Sequence, residues 1–243
     1  YSDGNIQHKS EYINAEPGKF PNYEFVRSLK KDLENDKGSV FKYATHENSI
    51  LNAIYDQLID SDEKDKDELM DFIKSITNKK ENNELVWRGE RDMIDMCDLV
   101  KKYFYDSYMK GSNSIKVVLP AVIKICEFVN KKYSKPINEI NLTSINFSGD
   151  HVWIKDGKLD PYISLPAPDF SIIDNPVGGI NKLNNGGDAL TAYAKIQYQD
   201  MSKEERNIIK QALLKYCELD TLAMVMIYEF FASELKIHCF SNQ

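Results

Sequence analysis

Apolar positions along the chain fall into helical stripes separated by short β-rich or polar stretches. Pro21-Asn22 opens the first stripe, Tyr23 to about Asn35, where Phe25, Val26, Leu29 and Leu33 share a face and Gly38 ends the run. SVFKY (Ser39–Tyr43) is rich in β-formers and predicts a short strand. A helix over Glu47–Ile59 follows, with Ile50, Leu51, Ile54 and Leu58 as its apolar positions, and another covers roughly Lys64–Ile76. TNKKENN then reads as a polar loop, and residues around Met93–Met96 as a short strand running into a helix over Leu99–Tyr105. A further helix begins near Ser114 and runs to about Lys132. The first fifteen or so residues read as two short strands around a turn at Asp3-Gly4. Strands alternating with helices of this length predict an α/β sandwich with a central sheet.

From Lys135 to Gly187 the periodicity lapses into a stretch rich in Pro, Gly, Asn and Asp, read as a loop-rich insertion within one domain over residues 1–243. Helical period returns at Asp188–Gln197 and again from Ser202, where Glu205 three residues later completes a capping box. In the last stripe, ALLKYCELDTLAMVMIYEFF, Leu213, Cys217, Met224 and Ile227 share a face and Asp220 falls among them. Tyr216 stands one turn before Asp220, so the two side chains can enter the same space. A carboxylate inside an apolar stripe must be hydrogen-bonded, paired or metal-bound, because burying it bare is costly. The plainer reading is that Asp220 caps a fresh helix at Thr221 or lies at the edge of the stripe.

The apolar fraction of 42% and charged fraction of 28% are those of a globular chain, and no apolar run reaches the length of a membrane span. The N-terminal YSDGNIQHKSEY lacks the basic start and apolar run of a secretory signal. Cys97, Cys126, Cys217 and Cys239 lie far apart without metal-ligand spacing, which predicts reduced thiols, the first three in core positions, and a cytoplasmic setting. A net charge of −7 argues against a generic polyanion binder but not against an acidic nuclease site. Asp60–Asp71, with its mixed signs, reads as a solvated surface.

Besides Tyr216/Asp220, three places put chemistry beside apolar structure. At SVFKYATHENSIL, His46 and Glu47 follow a strand directly, where ligands of α/β sheets gather; the competing reading is helix capping by Thr45 with Glu47 at the positive helix end. In MIDMCDL, Asp95 interrupts a short strand; a strand acid there could face the same sheet edge, but by alternation it is expected to point to solvent. KGSNSIKVVLPA places Ser114 and Lys116 at a helix start after a glycine, an arrangement that suits a phosphate but lacks P-loop spacing; ordinary capping by Ser112 or Ser114 is the alternative. Trp153, Tyr162 and Phe170 could stack on bases, although aromatic residues that pin a long loop to the core are the commoner case.

The segments GSVFKYATHENSIL, MIDMCDLVKKYFYDSYMKGSNSIKVVLPAV, DPYISLP, GGDALTAYAKIQY and LLKYCELDTLAMVMIYEF come in one order over nearly the whole chain. Together they resemble a bacterial family of uncharacterised proteins with a DEDD-type 3′–5′ exonuclease fold related to ribonuclease H. The resemblance implies a mixed central sheet flanked by helices, and four acids that hold two Mg²⁺ or Mn²⁺ ions. Tyr216 and Asp220 match the Y-x-x-x-D of its third acidic motif. Glu47 and Leu51 match the second motif, with Glu where Asp is usual, which lengthens the ligand by one methylene. Asp95 resembles a supporting position, and Lys116 one near the substrate backbone, with Ser114 and His46 as further substrate-binding candidates. The first motif, D-x-E on a leading strand, is expected upstream of Tyr1. The resemblance thus implies a C-terminal fragment, often preceded by a further nuclease-like domain.

Two functions compete. In the first, the protein hydrolyses DNA or RNA from a 3′ end: Asp220 and Glu47 hold metal, Tyr216 orients the attacking water, and Lys116 steers a phosphate. In the second, the same fold serves as a non-catalytic nucleic-acid-binding or assembly module. A small-molecule phosphohydrolase is a third reading, since no base-recognition residues stand out.

Overall fold

In a computed structural model of the chain, residues 1–2, 4–155, 157–173, 176–177, 179–180 and 182–234 are described. The elements in chain order begin with β1 (Ile6–Gln7), α1 (Asn22–Leu33), β2 (Phe41–Lys42), α2 (His46–Ile59) and α3 (Lys66–Ile76). There follow β3 (Asn78–Glu81), β4 (Glu84–Arg88), β5 (Ile94–Asp95), α4 (Met96–Tyr103), α5 (Ile115–Ile125) and α6 (Glu127–Tyr133). The last are β6 (Leu142–Thr143), α7 (Gly186–Tyr198) and α8 (Lys203–Glu234). The chain is therefore mixed α/β. Its contacts gather it into two compact units, residues 1–19 with 106–243, and residues 20–105.

The sequence predicts one central sheet; the described strands instead form three separate two-stranded sheets, β1–β6 and β2–β5 parallel and β3–β4 antiparallel. The strands are stopped early by backbone geometry. Ala44 (φ 69°) turns the chain away directly after β2, and Asn141 (φ 51°) delays the start of β6. Asp3 lies outside the described residues; around it Ser2 and Asn5 exchange backbone hydrogen bonds of 3.0 and 2.8 Å, and Gly4 takes φ 81°.

In the 20–105 unit, α1, α2 and α3 bury Val26, Leu51, Ile54, Leu58, Leu69 and Ile73 in one core. Ile50, expected inside, is 44% exposed. The buried stripe of α2 is Leu51, Ile54, Tyr55 and Leu58, an i, i+3, i+4, i+7 set that leaves Ile50 one step off the face. TNKKENN is not a loop. It carries β3 into a hairpin whose tip residues, Asn82 and Asn83, both have positive φ (50° and 67°), the geometry of a tight primed turn that asparagine tolerates. Trp87 therefore lies on β4, against Tyr55 at 4.9 Å between ring centroids, with its Nε1–H donated to Thr77 Oγ1 at 3.2 Å. Gly89 follows β4 where a Cβ would come within 2.2 Å of the carbonyl oxygens of Lys74 and Ser75, so no larger residue fits there.

In the other unit, α5, α6 and α7 each pack against α8. The predicted single helix from Ser114 to Lys132 is broken at Cys126, whose extended backbone (φ −94°, ψ 102°) separates α5 from α6. The 135–187 segment is loop-rich, as predicted, yet it is held down by fully buried Trp153, Ile154 and Tyr162. Trp153 stacks edge-on to Phe147 and His151, each at 4.7 Å, so it is a structural anchor rather than a free stacking surface. Burial, with help from the positive charge of Lys155, pushes the His151 imidazole down to about 4. Its folded value is depressed below the ordinary one near 6.5, so its contribution to stability is full above about pH 6.5 and is lost as pH falls through about 4. The thermal midpoint should fall between pH 6.5 and pH 4 in the native protein, and fall less in His151→Phe. Equal acid sensitivity in the two proteins would refute this assignment.

Candidate functional site

Asp220 lies inside α8, a continuous 32-residue helix, and so caps nothing. The buried stripe of that helix runs through Ala212, Tyr216, Leu219, Ala223, Met226 and Phe230. Asp220 is one helical step (about 100°) from this line, with its side chain 41% exposed. Cys217, expected in the core, is exposed for the same reason, whereas Cys97 and Cys126 are buried as predicted; Cys239 lies outside the described residues. Ser202 Oγ accepts from Glu205 N at 3.0 Å, which fixes the start of α8 as the capping box predicts.

Three elements bring polar groups to the Tyr216–Asp220 turn of α8. Lys116, on the first turn of α5, donates from Nζ to Tyr216 Oη at 2.7 Å and stands 3.6 Å from Asp220 Oδ1. Tyr162 comes from a single 3-10 turn, Pro161–Ser164, and donates its hydroxyl to Asp220 Oδ1 at 2.6 Å. The Lys116 ammonium lies 3.8 Å from the Tyr162 ring centroid, close enough for a cation–π contact, and meets Tyr216 at its hydroxyl. Asp160 caps the 3-10 turn by accepting from Tyr162 N at 3.0 Å. Asp188, on the first turn of α7, is held by Asn185 through two hydrogen bonds, at 3.0 and 2.6 Å.

The electrostatics follow from this crowding. Burial lowers the Lys116 ammonium below its ordinary range, against the opposing pull of Asp220, Asp160 and Asp188. Burial, reinforced by Asp220, pushes both the Tyr216 and Tyr162 phenols up. Both tyrosines therefore stay protonated at neutral pH. Tyr216 Oη accepts from Lys116, which leaves its own O–H to orient a polar ligand. Asp220 Oδ2 makes no hydrogen bond among the described residues. Asp220 stands 3.6 Å from the ammonium and Asp160 and Asp188 act on it through their charges, so an anion alone is poorly matched to the site and an anion accompanied by a cation is better matched.

Of the residues expected to act together, Tyr216, Asp220, Lys116 and Glu47, the first three meet in the unit that contains α8, and Glu47 belongs to the other unit. Tyr162, Asp160 and Asp188 are additions that the sequence does not assign to them. The signal for the turn was present: Asp-Pro at 160–161 is a cap followed by a first-position proline. Ser114 is the exposed residue ahead of α5; neither it nor Ser112 caps the helix with its side chain, and Ser112 Oγ instead accepts from Ser114 N at 3.3 Å.

Glu47, His46 and Asp95 belong to the 20–105 unit. His46 is exposed at the first position of α2, and Thr45 before it forms no side-chain cap. Glu47 Oε2 is buried with no hydrogen-bond partner. Alternation predicts that Asp95 faces solvent, and it does not: its side chain is only 15% exposed. Its Oδ1 accepts from Cys97 N at 2.9 Å and Ala44 N at 3.0 Å, and Oδ2 faces Lys42 Nζ at 3.5 Å. The residue is both the last of β5 and the N-cap of α4, and the capping bonds outweigh strand alternation there. By tying Ala44 to α4 it also fixes the turn that leads into α2.

A groove of about 700 Å³ also lies in the unit that contains α8, between residues 6–13 and the α7–α8 pair, with Leu213, Leu214 and Leu222 along its floor. Its wall includes buried Glu218, which lies 2.8 Å from His8 Nδ1 and accepts from Asn146 Nδ2 at 3.0 Å. Among the described residues no three or more His, Cys, Asp or Glu side chains converge where a metal ion could sit, and no helix is long and apolar enough to cross a membrane. No curated protein and no solved structure matches the chain. Residues 1–114 are similar to a family described as a domain of unknown function, DUF2779.

Proposed function

We propose that this chain carries part of the active site of a metal-dependent 3′–5′ exonuclease of the ribonuclease H-like kind, acting on DNA or RNA. The observation that carries the reading is the joining of Lys116, Tyr216 and Asp220, distant in sequence, through contacts of 2.7 and 3.6 Å. In this reading Lys116 binds a phosphate oxygen. The neutral Tyr216 hydroxyl holds the attacking water by a hydrogen bond, and Asp220 presents Oδ2 outward.

Carboxylate oxygens suit the hard ions Mg²⁺ and Mn²⁺. Among the described residues Asp220 Oδ2 makes no hydrogen bond. Glu47 belongs to the other unit, where its Oε2 is buried without a partner. A buried carboxylate oxygen without a donor is the condition a cation would relieve. When bound, the metal would supply Lewis-acid stabilisation of charge on the phosphoryl group. A non-catalytic binding module is the second reading, favoured by the lack of three converging ligands among the described residues.

The two readings separate in one set of measurements. A 5′-labelled DNA or RNA oligonucleotide should shorten stepwise from its 3′ end with Mn²⁺ or Mg²⁺, and EDTA should stop the reaction. Saturating Mn²⁺ at about 100 times its Kd should add about 2.7 kcal/mol of stability. Neither cleavage nor stabilisation would leave the binding module standing.

A further inference from the structure

We propose that Tyr162 is the positioning residue of this cluster: its hydroxyl occupies Asp220 Oδ1, so that Oδ2 alone faces a ligand, and its ring fixes the Lys116 ammonium. The inference rests on the exonuclease reading only for its metal arm; the geometry of Lys116 stands apart from it. Tyr162 is 2% exposed, and its backbone is fixed at both ends of a single turn. Asp160 accepts from its N–H at 3.0 Å, buried Pro161 precedes it, and Leu165 N donates to its carbonyl at 3.4 Å. A side chain anchored in this way has one place to go. There it donates to Asp220 Oδ1 at 2.6 Å and lies under Lys116 Nζ at 3.8 Å.

The hydroxyl and the ammonium compete for one oxygen. Tyr162 holds Oδ1 at full hydrogen-bond strength, whereas Lys116 stands 3.6 Å from it, beyond a normal hydrogen bond. Lys116 is thereby kept from collapsing onto Asp220, and its remaining N–H groups stay available. The groups that face Lys116 are Tyr216 and Asp220 from α8, Tyr162 and Asp160 from the turn, and Asp188 from α7. Removal of the hydroxyl alone should let Lys116 close on Oδ1 and form a direct charge-assisted hydrogen bond.

The test is Tyr162→Phe in the full chain, which keeps the ring and its packing. Lysine nitrogens and aspartate carboxyl carbons are isotope-labelled, and the Lys116 NMR signal is identified by its loss in Lys116→Arg. At one fixed pH, a scalar coupling across a hydrogen bond from Lys116 Nζ to the Asp220 carboxylate should appear in the variant and be absent from the native protein, where the two stand 3.6 Å apart. A purely structural role for Tyr162 would not create that bond. Its absence from the variant would overturn the proposal. In the same variant, Mn²⁺ affinity measured by calorimetry should fall about tenfold. If the native protein binds no Mn²⁺, the metal reading fails, and the Lys116–Asp220 hydrogen bond alone still decides the role of Tyr162.

Discussion

Asp220→Asn is expected to reduce Mn²⁺-dependent cleavage by about 10²–10³-fold while leaving the metal-free unfolding temperature close to that of the native protein. Both halves of that result follow from where the residue sits. Asparagine has nearly the same shape, its side-chain carbonyl can still accept from Tyr162, and Asp220 lies at the edge of the buried stripe, so no cavity opens. What disappears is the negative charge on the outward oxygen, the feature a divalent cation requires. Cleavage at the native rate in this variant would remove Asp220 from the mechanism. Loss of cleavage together with a collapse of metal-free stability would assign the residue to folding instead.

A large stability effect is expected at a residue with no part in the chemistry. Glu229 of α8 is completely buried and accepts from Lys132 Nζ at 2.7 Å and from Tyr133 Oη at 3.0 Å. Burial and the adjacent Glu229 carboxylate push the Tyr133 phenol well up, so it remains a neutral donor throughout the physiological range. Glu229→Ala should destabilise the unit containing α8 by about 3–5 kcal/mol in chemical unfolding, because it strands an ammonium and a phenol without partners. Lys132 can move its head group towards water, which favours the lower end of that range. Changing both members of the ion pair to apolar residues, Glu229→Leu with Lys132→Met, should recover most of the loss. A double variant as unstable as Glu229→Ala would show that the carboxylate acts through something other than this pair.

The helices were legible in the sequence because their stripes are regular. The helices of the 20–105 unit begin or end within a few residues of the predicted boundaries, and the Ser202 cap is in place. The misreadings share a cause. Where a backbone conformation rather than a period decides, the pattern of apolar residues is silent. Asn82-Asn83 turns a polar run into a hairpin, Cys126 interrupts a stripe that reads as unbroken, and the left-handed Ala44 cuts short the strand that SVFKY predicts. The candidate site was legible to the extent that its groups sit on helices, as Lys116, Tyr216 and Asp220 do. Tyr162 lies in an aperiodic segment, so its partners could come only from tertiary structure. Asp95 looked like an alternating strand residue because the strand ends on it, where a cap competes with the pleat.

The length of α8 has a consequence for how such a protein can change. Thirty-two residues at helical rise extend about 48 Å, and residues buried on both sides of Tyr216 and Asp220 hold that rod in register. The two polar groups thus take their coordinates from a beam, and Tyr162 takes its own from a turn fixed by Asp160 and buried Pro161. Between that turn, buried Trp153 and Ile154, and strand β6, exposed loop positions can lengthen or shorten at little cost. Loop libraries built on this chain therefore have a natural division of labour, with helix, turn and anchors constant and the exposed loop positions varied.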